Sequence, residues 1–124
     1  MTNRRVLLVD DEPDVILTLK IVLEENGFKV DSFTDPLLAL QNFKEQDGMY
    51  EMVILDIRMP NMNGFELYRQ IKKIDDKVKV CFLTAGEMSY GAAYEDIFNR
   101  LDRRCFIQKP IENEKLIARL NKIK

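Results

Sequence analysis

Short apolar runs rich in Val, Ile and Leu alternate along the chain with longer segments whose apolar residues recur at helical spacing. That alternation is the signature of a parallel sheet with helices on its faces. The runs predict strands at Val6 to Val9, Lys29 to Phe33, Met52 to Leu55, Val78 to Leu83 and Arg104 to Ile107. The first, third and fourth are almost continuously apolar and should be central strands covered on both sides. Polar residues interleave in the second, which suits an edge.

Between the strands, Asp14 to Glu25 places Val15, Leu19, Val22 and Leu23 on one helical face, with Asn26-Gly27 as its stop. Asp35-Pro36 reads as an N-cap followed by a first-turn proline, opening a helix with Leu37, Leu40 and Phe43 inward. Gly64 to Ile74 forms a third helix through Phe65, Leu67, Tyr68 and Ile71. A fourth is expected within Met88 to Leu101, and Glu112 to Ile123 closes the series with Leu116, Leu120 and Ile123. Five strand-helix units without a repeat, a low-complexity segment or a linker predict an α/β domain.

Composition narrows the chemistry. The 124 residues with 46% apolar content suit one domain with one sizeable core. Lys and Arg total 19 against 21 Asp and Glu, a net charge of −2 that gives no general attraction to nucleic acid or anionic membrane. Asn3-Arg4-Arg5 reads as a solvated strand entry. No segment resembles a signal peptide or a membrane span, so a cytoplasmic protein is expected. Cys81 and Cys105 lack metal-ligand spacing and read as buried apolar side chains. The chain has no histidine, which excludes a Ser-His-Asp or Cys-His nucleophile and a phosphohistidine carrier. Phosphate arriving from a histidine would have to come from a partner.

In open α/β sheets functional groups gather beyond the carboxyl ends of the strands, where the strand order reverses. The first strand runs into Asp10-Asp11-Glu12 and the third into Asp56. In a 2-1-3-4-5 order these two strands are neighbours, and their carboxylates converge. Clustered acids raise one another's pKa unless a cation intervenes. Hard oxygen ligands favour Mg²⁺, with Mn²⁺ as the alternative. Helix capping is the competing use of Asp10, Asp11 or Glu12. Thr84 and Lys109, at the ends of the fourth and fifth strands, add a hydroxyl and an ammonium. Nucleophile, metal site, donor and cation together are what phosphoryl transfer to a carboxylate requires.

Four fragments in this order, Val9-Asp10-Asp11-Glu12, Leu55-Asp56-Ile57-Arg58-Met59-Pro60 with Asn63-Gly64, Leu83-Thr84-Ala85, and Lys109-Pro110, resemble the receiver domain of two-component response regulators, across essentially the whole length. The resemblance implies a flavodoxin-like (βα)5 fold, a doubly wound parallel sheet of order 2-1-3-4-5, as a single receiver domain over residues 1–124 with no output domain. It implies Asp56 as phosphoacceptor and a metal held by Asp10, Asp11, Asp56 and the Arg58 backbone carbonyl, with Asp11 the direct ligand of the acidic pair and Asp10 acting through water. Thr84 and Lys109 would grip the phosphoryl oxygens, and the Lys109-Pro110 bond would be cis. Phe106 matches the aromatic that turns inward on phosphorylation, remodelling the surface of the fourth helix, fifth strand and fifth helix. An ordinary core role is its other reading.

The implied partners are a sensor histidine kinase or phosphotransfer protein as donor and an output protein or domain, with the chain a monomer or a phosphorylation-linked dimer. A signalling switch, not an enzyme with a free substrate, is expected. Two departures stand out. Arg58 follows Asp56 by two residues, as a modulator contacting or shielding the phosphate or as a solvent-facing side chain. The stretch from Thr84 to Lys109 is longer than usual in that family, and Leu101-Asp102-Arg103-Arg104-Cys105 replaces its Gly-Ala. An aspartate-nucleophile phosphohydrolase would want a second Asp where Arg58 stands. A flavin or nucleotide module would want a phosphate-cradling loop that five scattered glycines do not form. A non-phosphorylated interaction module on the receiver fold would not need the intact constellation.

Overall fold

The computed structural model describes residues 4–46, 48–84, 95–101, 105–109 and 112–122. These hold five strands, β1 (Arg4–Val9), β2 (Phe28–Phe33), β3 (Met52–Asp56), β4 (Lys79–Thr84) and β5 (Phe106–Gln108), alternating with α1 (Pro13–Glu25), α2 (Pro36–Glu45), α3 (Gly64–Ile74), α4 (Glu95–Arg100) and α5 (Asn113–Lys122). The strands form one sheet in the order β2-β1-β3-β4-β5, with every neighbouring pair parallel. The predicted flavodoxin-like architecture and the edge position of β2 are both present. Met88 to Tyr94 of the expected fourth helix, Arg104 of the fifth strand, Pro110 with its expected cis bond, and Ile123 lie outside the described residues.

Because side chains alternate along a strand, the sheet divides its apolar residues between two layers. Leu7, Val9, Val53, Leu55, Val80 and Phe82 pack with α2, α3 and Ile97 of α4 on one face. Val6, Leu8, Met52, Ile54, Cys81, Leu83 and Ile107 pack with α1 and α5 on the other. Cys81 and Cys105 are buried free thiols, as expected. None of the described helices is long and apolar enough to cross a membrane.

The buried face of α2 differs from expectation in phase, whereas Phe65, Leu67 and Ile71 of α3 and Leu116 and Leu120 of α5 are buried as expected. Leu37 is 49% exposed, whereas Pro36, Ala39, Leu40 and Phe43 are buried. At 100° per residue, positions 37 and 43 stand about 120° apart around a helix, so they cannot share one narrow face. In α1 the buried positions are Ile16, Val22 and Leu23, while Val15 is half-buried. Val22 and Leu23 are thus buried as expected and Leu19 packs half-buried on the same layer, while Ile16, seven residues before Leu23, joins the buried face. The caps read from sequence are in place: Asp35 Oδ1 accepts the Leu37 amide at 2.9 Å, and Gly27 has φ +88°.

Arg5 departs from a solvated strand entry. It is half-buried and donates twice to Asp31 Oδ2, at 2.9 and 2.8 Å, and the Tyr50 hydroxyl donates to the same oxygen at 2.7 Å. Asn42 donates to Tyr50 at 2.6 Å, so β1, β2, α2 and the segment before β3 share one polar network. Burial and the bond to Asp31 push the Tyr50 phenol up to about 12.

The β3-α3 loop sets the end of β3. Asn63 caps α3 by accepting the Glu66 amide at 3.0 Å, and the Gly64 amide donates to the Ile57 carbonyl at 2.7 Å. A Cβ on Gly64 would fall on the Asp56 carbonyl oxygen and within 2.9 Å of Ile57 Cα. These are backbone atoms with no side-chain torsion to yield. Gly64→Ala is therefore expected to destabilise the fold by about 1–3 kcal/mol in urea denaturation, and to shift the amide resonances of Asp56 and Ile57. An unchanged unfolding midpoint would contradict this packing.

Candidate functional site

Strand register brings the site together. Val9 pairs with Leu55 across β1 and β3, so Asp10 and Asp56 are the next residues along neighbouring parallel strands. Alternation then puts Asp56 on the side of Met52 and Ile54, Asp10 on the side of Val6 and Leu8, and Lys109 on the side of Ile107. All three converge at the carboxyl edge of the face covered by α1 and α5.

Asp10 is fully buried, and a buried carboxylate requires charged or hydrogen-bonded partners. Its Oδ2 meets Lys109 Nζ at 2.8 Å and its Oδ1 accepts the Glu12 amide at 3.0 Å. The Lys109 ammonium also stands 3.6 Å from Asp56 Oδ1 and 3.5 Å from Glu12 Oε1. Its backbone is fixed by the hydrogen bond that its N–H donates to the Thr84 carbonyl at 2.7 Å, which extends the β4-β5 ladder to the rim. Burial alone would lower the Lys109 pKa, but the bond to Asp10 and the charges of Asp56, Asp10 and Glu12 raise it overall.

One carboxylate oxygen from each of Asp10, Asp11, Glu12 and Asp56 lies within 4.8 Å of the others. The crowding shows in Asp56, whose pKa is raised to about 7 by burial, by Asp10 and by Asp11, against the opposing pull of Lys109 and the Ile57 amide. Four clustered hard-oxygen donors fit a divalent cation of the Mg²⁺ type, which would relieve the repulsion that burial intensifies.

The remaining expected site residues divide. Thr84 is buried at the last position of β4, opposite Gln108. Arg58 is exposed, two residues beyond Asp56. Phe106 lies on the opposite face of the sheet, half-buried, its ring stacked on Phe82 with centroids 5.5 Å apart and planes at 16°. Phe82 also contacts Phe65 and Tyr68 at 5.0 and 5.6 Å, an aromatic group that helical spacing in α3 only partly foreshadows. For Glu12 the sequence offered helix capping; it stands at the N-cap position of α1 but makes no side-chain capping bond, and its contact with Lys109 was not foreseen. Its position directly after the acidic pair was the available signal.

Residues 6–121 match the family model described as the response regulator receiver domain. The chain is 34% identical to a transcriptional regulatory protein CpxR homologue of Haemophilus influenzae over 96% of its own length and 49% of that protein. It is 31% identical to the chemotaxis protein CheY of Thermotoga maritima over 98% of both chains. It thus spans about half the length of the first transcriptional regulators it matches. Among solved structures, a response regulator receiver domain protein from Clostridium thermocellum superposes with a TM-score of 0.82 at 26% identity, covering 96% of this chain and 92% of that one. The structure of a CheX-CheY-BeF3-Mg²⁺ complex from Borrelia burgdorferi gives 0.83 at 26% identity over 96% and 87%. By fold, by the acidic rim of its sheet and by these matches, the chain belongs to the response regulator receiver domain family of two-component signalling.

Proposed function

We propose that Asp56 accepts a phosphoryl group from a histidine on a sensor kinase or phosphotransfer protein, and that the modified surface then engages an output protein or domain. The observation that carries this reading is a buried carboxyl at the end of β3, 3.6 Å from an ammonium and clustered with three further carboxylates. An Asp56 oxygen attacks phosphorus, the P–N bond to the donor imidazole breaks, and the imidazole takes up a proton. An acyl phosphate is left on Asp56. The donor histidine belongs to a partner because the chain has none.

Asp10, Asp11, Asp56 and the backbone carbonyl of Arg58 are assigned to hold Mg²⁺ or, in its place, Mn²⁺; when bound, the metal neutralises charge on the transferring oxygens. The Mg²⁺ and BeF3 named in the Borrelia complex support this assignment. The new group brings roughly 1.5 to 2 negative charges and three acceptor oxygens. Lys109, hydrogen-bonded to Asp10 and within 3.6 Å of Asp56, follows that charge, and the Thr84 hydroxyl donates to it. Inward movement of Phe106, stacked on Phe82, carries the change to the surface formed by α4, β5 and α5. Arg58 modulates the lifetime of the acyl phosphate by contacting or shielding it. The chain acts in the cytoplasm as a switch whose only chemistry is its own phosphorylation and dephosphorylation. It works as a monomer or a phosphorylation-linked dimer, without binding nucleic acid or membrane itself.

With Mg²⁺ and a small acyl-phosphate donor, wild type is expected to gain the mass of one phosphoryl group, whereas Asp56→Ala gains none. No gain in wild type, or equal gain in the variant, would remove the assignment.

The raised pKa of Asp56 also has a signed consequence in metal-free protein. Between the ordinary carboxyl value of 3.8 and the folded value of about 7, the unfolded chain ionises while the folded carboxyl stays protonated. Stability is fully present below the first value and is lost as pH rises through the second. Asp56→Asn removes that ionisation. In chelator its thermal midpoint should exceed wild type at pH 8, and the gap should close as pH falls from 7 to 4. A gap independent of pH would contradict the electrostatic origin.

A further inference from the structure

Glu12 occupies the N-cap position of α1 with extended backbone, φ −95° and ψ 109°, yet its side chain makes no capping bond. Capping of the first-turn amides belongs to the shorter Asp, Asn, Ser and Thr side chains; the longer Glu12 carboxylate meets Lys109 instead. Its Oε1 stands 3.5 Å from Lys109 Nζ, nearly the 3.6 Å that separates the same ammonium from Asp56 Oδ1. The Glu12 amide donates to Asp10 Oδ1, so the turn that buries Asp10 also places Glu12 beside Lys109. Asp10 is fully buried, whereas the Glu12 side chain is 63% exposed. Of these two partners of the ammonium on the α1 side, Glu12 is the one with room to let go.

We propose that Glu12 is a positioning residue that holds the Lys109 ammonium toward α1 in the unphosphorylated protein and thereby restrains its delivery to the phosphoryl group on Asp56. The inference rests on Asp56 being the phosphoacceptor. Since the Lys109 amide is tied to Thr84, the movement that Glu12 restrains belongs to the side chain, whose ammonium is hydrogen-bonded to Asp10 at 2.8 Å and lies 3.5 and 3.6 Å from Glu12 and Asp56. An ion pair this exposed is weak, so its release should change the rate by roughly two- to fivefold.

Two variants separate contact from overall charge. Glu12→Gln removes the charge at nearly constant shape; Glu12→Asp keeps the charge and withdraws it by one methylene. The first readout is the Lys109 side-chain ¹⁵N resonance in metal-free protein. The second is the rate of phosphorylation by a small acyl phosphate with Mg²⁺, resolved into its saturating value and the donor concentration for half-saturation. Both variants are expected to move the Lys109 resonance and to raise the saturating rate roughly two- to fivefold. Half-saturation should fall only in Glu12→Gln, which no longer repels the anionic donor. The proposal is overturned if neither variant moves the Lys109 resonance, or if wild type and both variants share one saturating rate. Acceleration in Glu12→Gln with a wild-type rate in Glu12→Asp would likewise overturn it, assigning the effect to donor repulsion. Absence of phosphoryl uptake by wild type would instead remove the Asp56 reading, and the inference with it.

Discussion

Four clustered carboxylates, three of them facing one ammonium, are the constraint on which the rest of the structure depends. Asp10, Asp11, Glu12 and Asp56 bring oxygens within 4.8 Å of one another, and Lys109 reaches three of those side chains. In water such a group would disperse. Here two strands hold it, because β1 and β3 pair in parallel register and end together, and their packing buries Asp10 and Asp56 at the strand ends. The conflict is stored mainly in Asp56, whose carboxyl holds its proton to about pH 7. A site held under that repulsion responds strongly to an added cation or anion, which is the property a switch needs.

The same strands connect that response to the far face of the sheet. Thr84 ends β4 two residues after Phe82, whose ring stacks on Phe106 and contacts Phe65 and Tyr68. Polar chemistry on the α1 and α5 side and aromatic packing on the α3 and α4 side therefore share β4 and β5. The bond from the Lys109 amide to the Thr84 carbonyl ties the two strands at the rim. On the opposite edge, the network of Arg5, Asp31, Tyr50 and Asn42 joins β1 and β2 to α2. The rim thus rests on a firm frame while its own charges remain unresolved.

The parallel sheet and most of this site were legible because both follow from periodicity. Apolar runs located the strands, and residues just past a strand end fall on the rim, so Asp10, Asp56, Thr84 and Lys109 could be placed from sequence alone. The phase of α2 was less legible, since it depends on which apolar stripe the sheet accepts. Pro36 and Ala39, small or turn-like by composition, are buried where Leu37 was expected. Arg5 looked like a solvated entry because its partners Asp31 and Tyr50 are distant in sequence and meet it only through strand pairing. Glu12 read as a helix cap for a related reason: its contact with Lys109 spans nearly the whole chain.

The central claim is that burial, together with the neighbouring carboxylates of Asp10 and Asp11, keeps the Asp56 carboxyl protonated far above the ordinary range and that a divalent cation offsets it. Titration of the Asp56 ¹³Cγ resonance by NMR, with and without saturating Mg²⁺, tests this most directly. The predicted midpoint lies near 7 in metal-free protein and is clearly displaced downward when Mg²⁺ is present. A midpoint already in the ordinary carboxyl range without metal, or one that Mg²⁺ leaves unmoved, would contradict it.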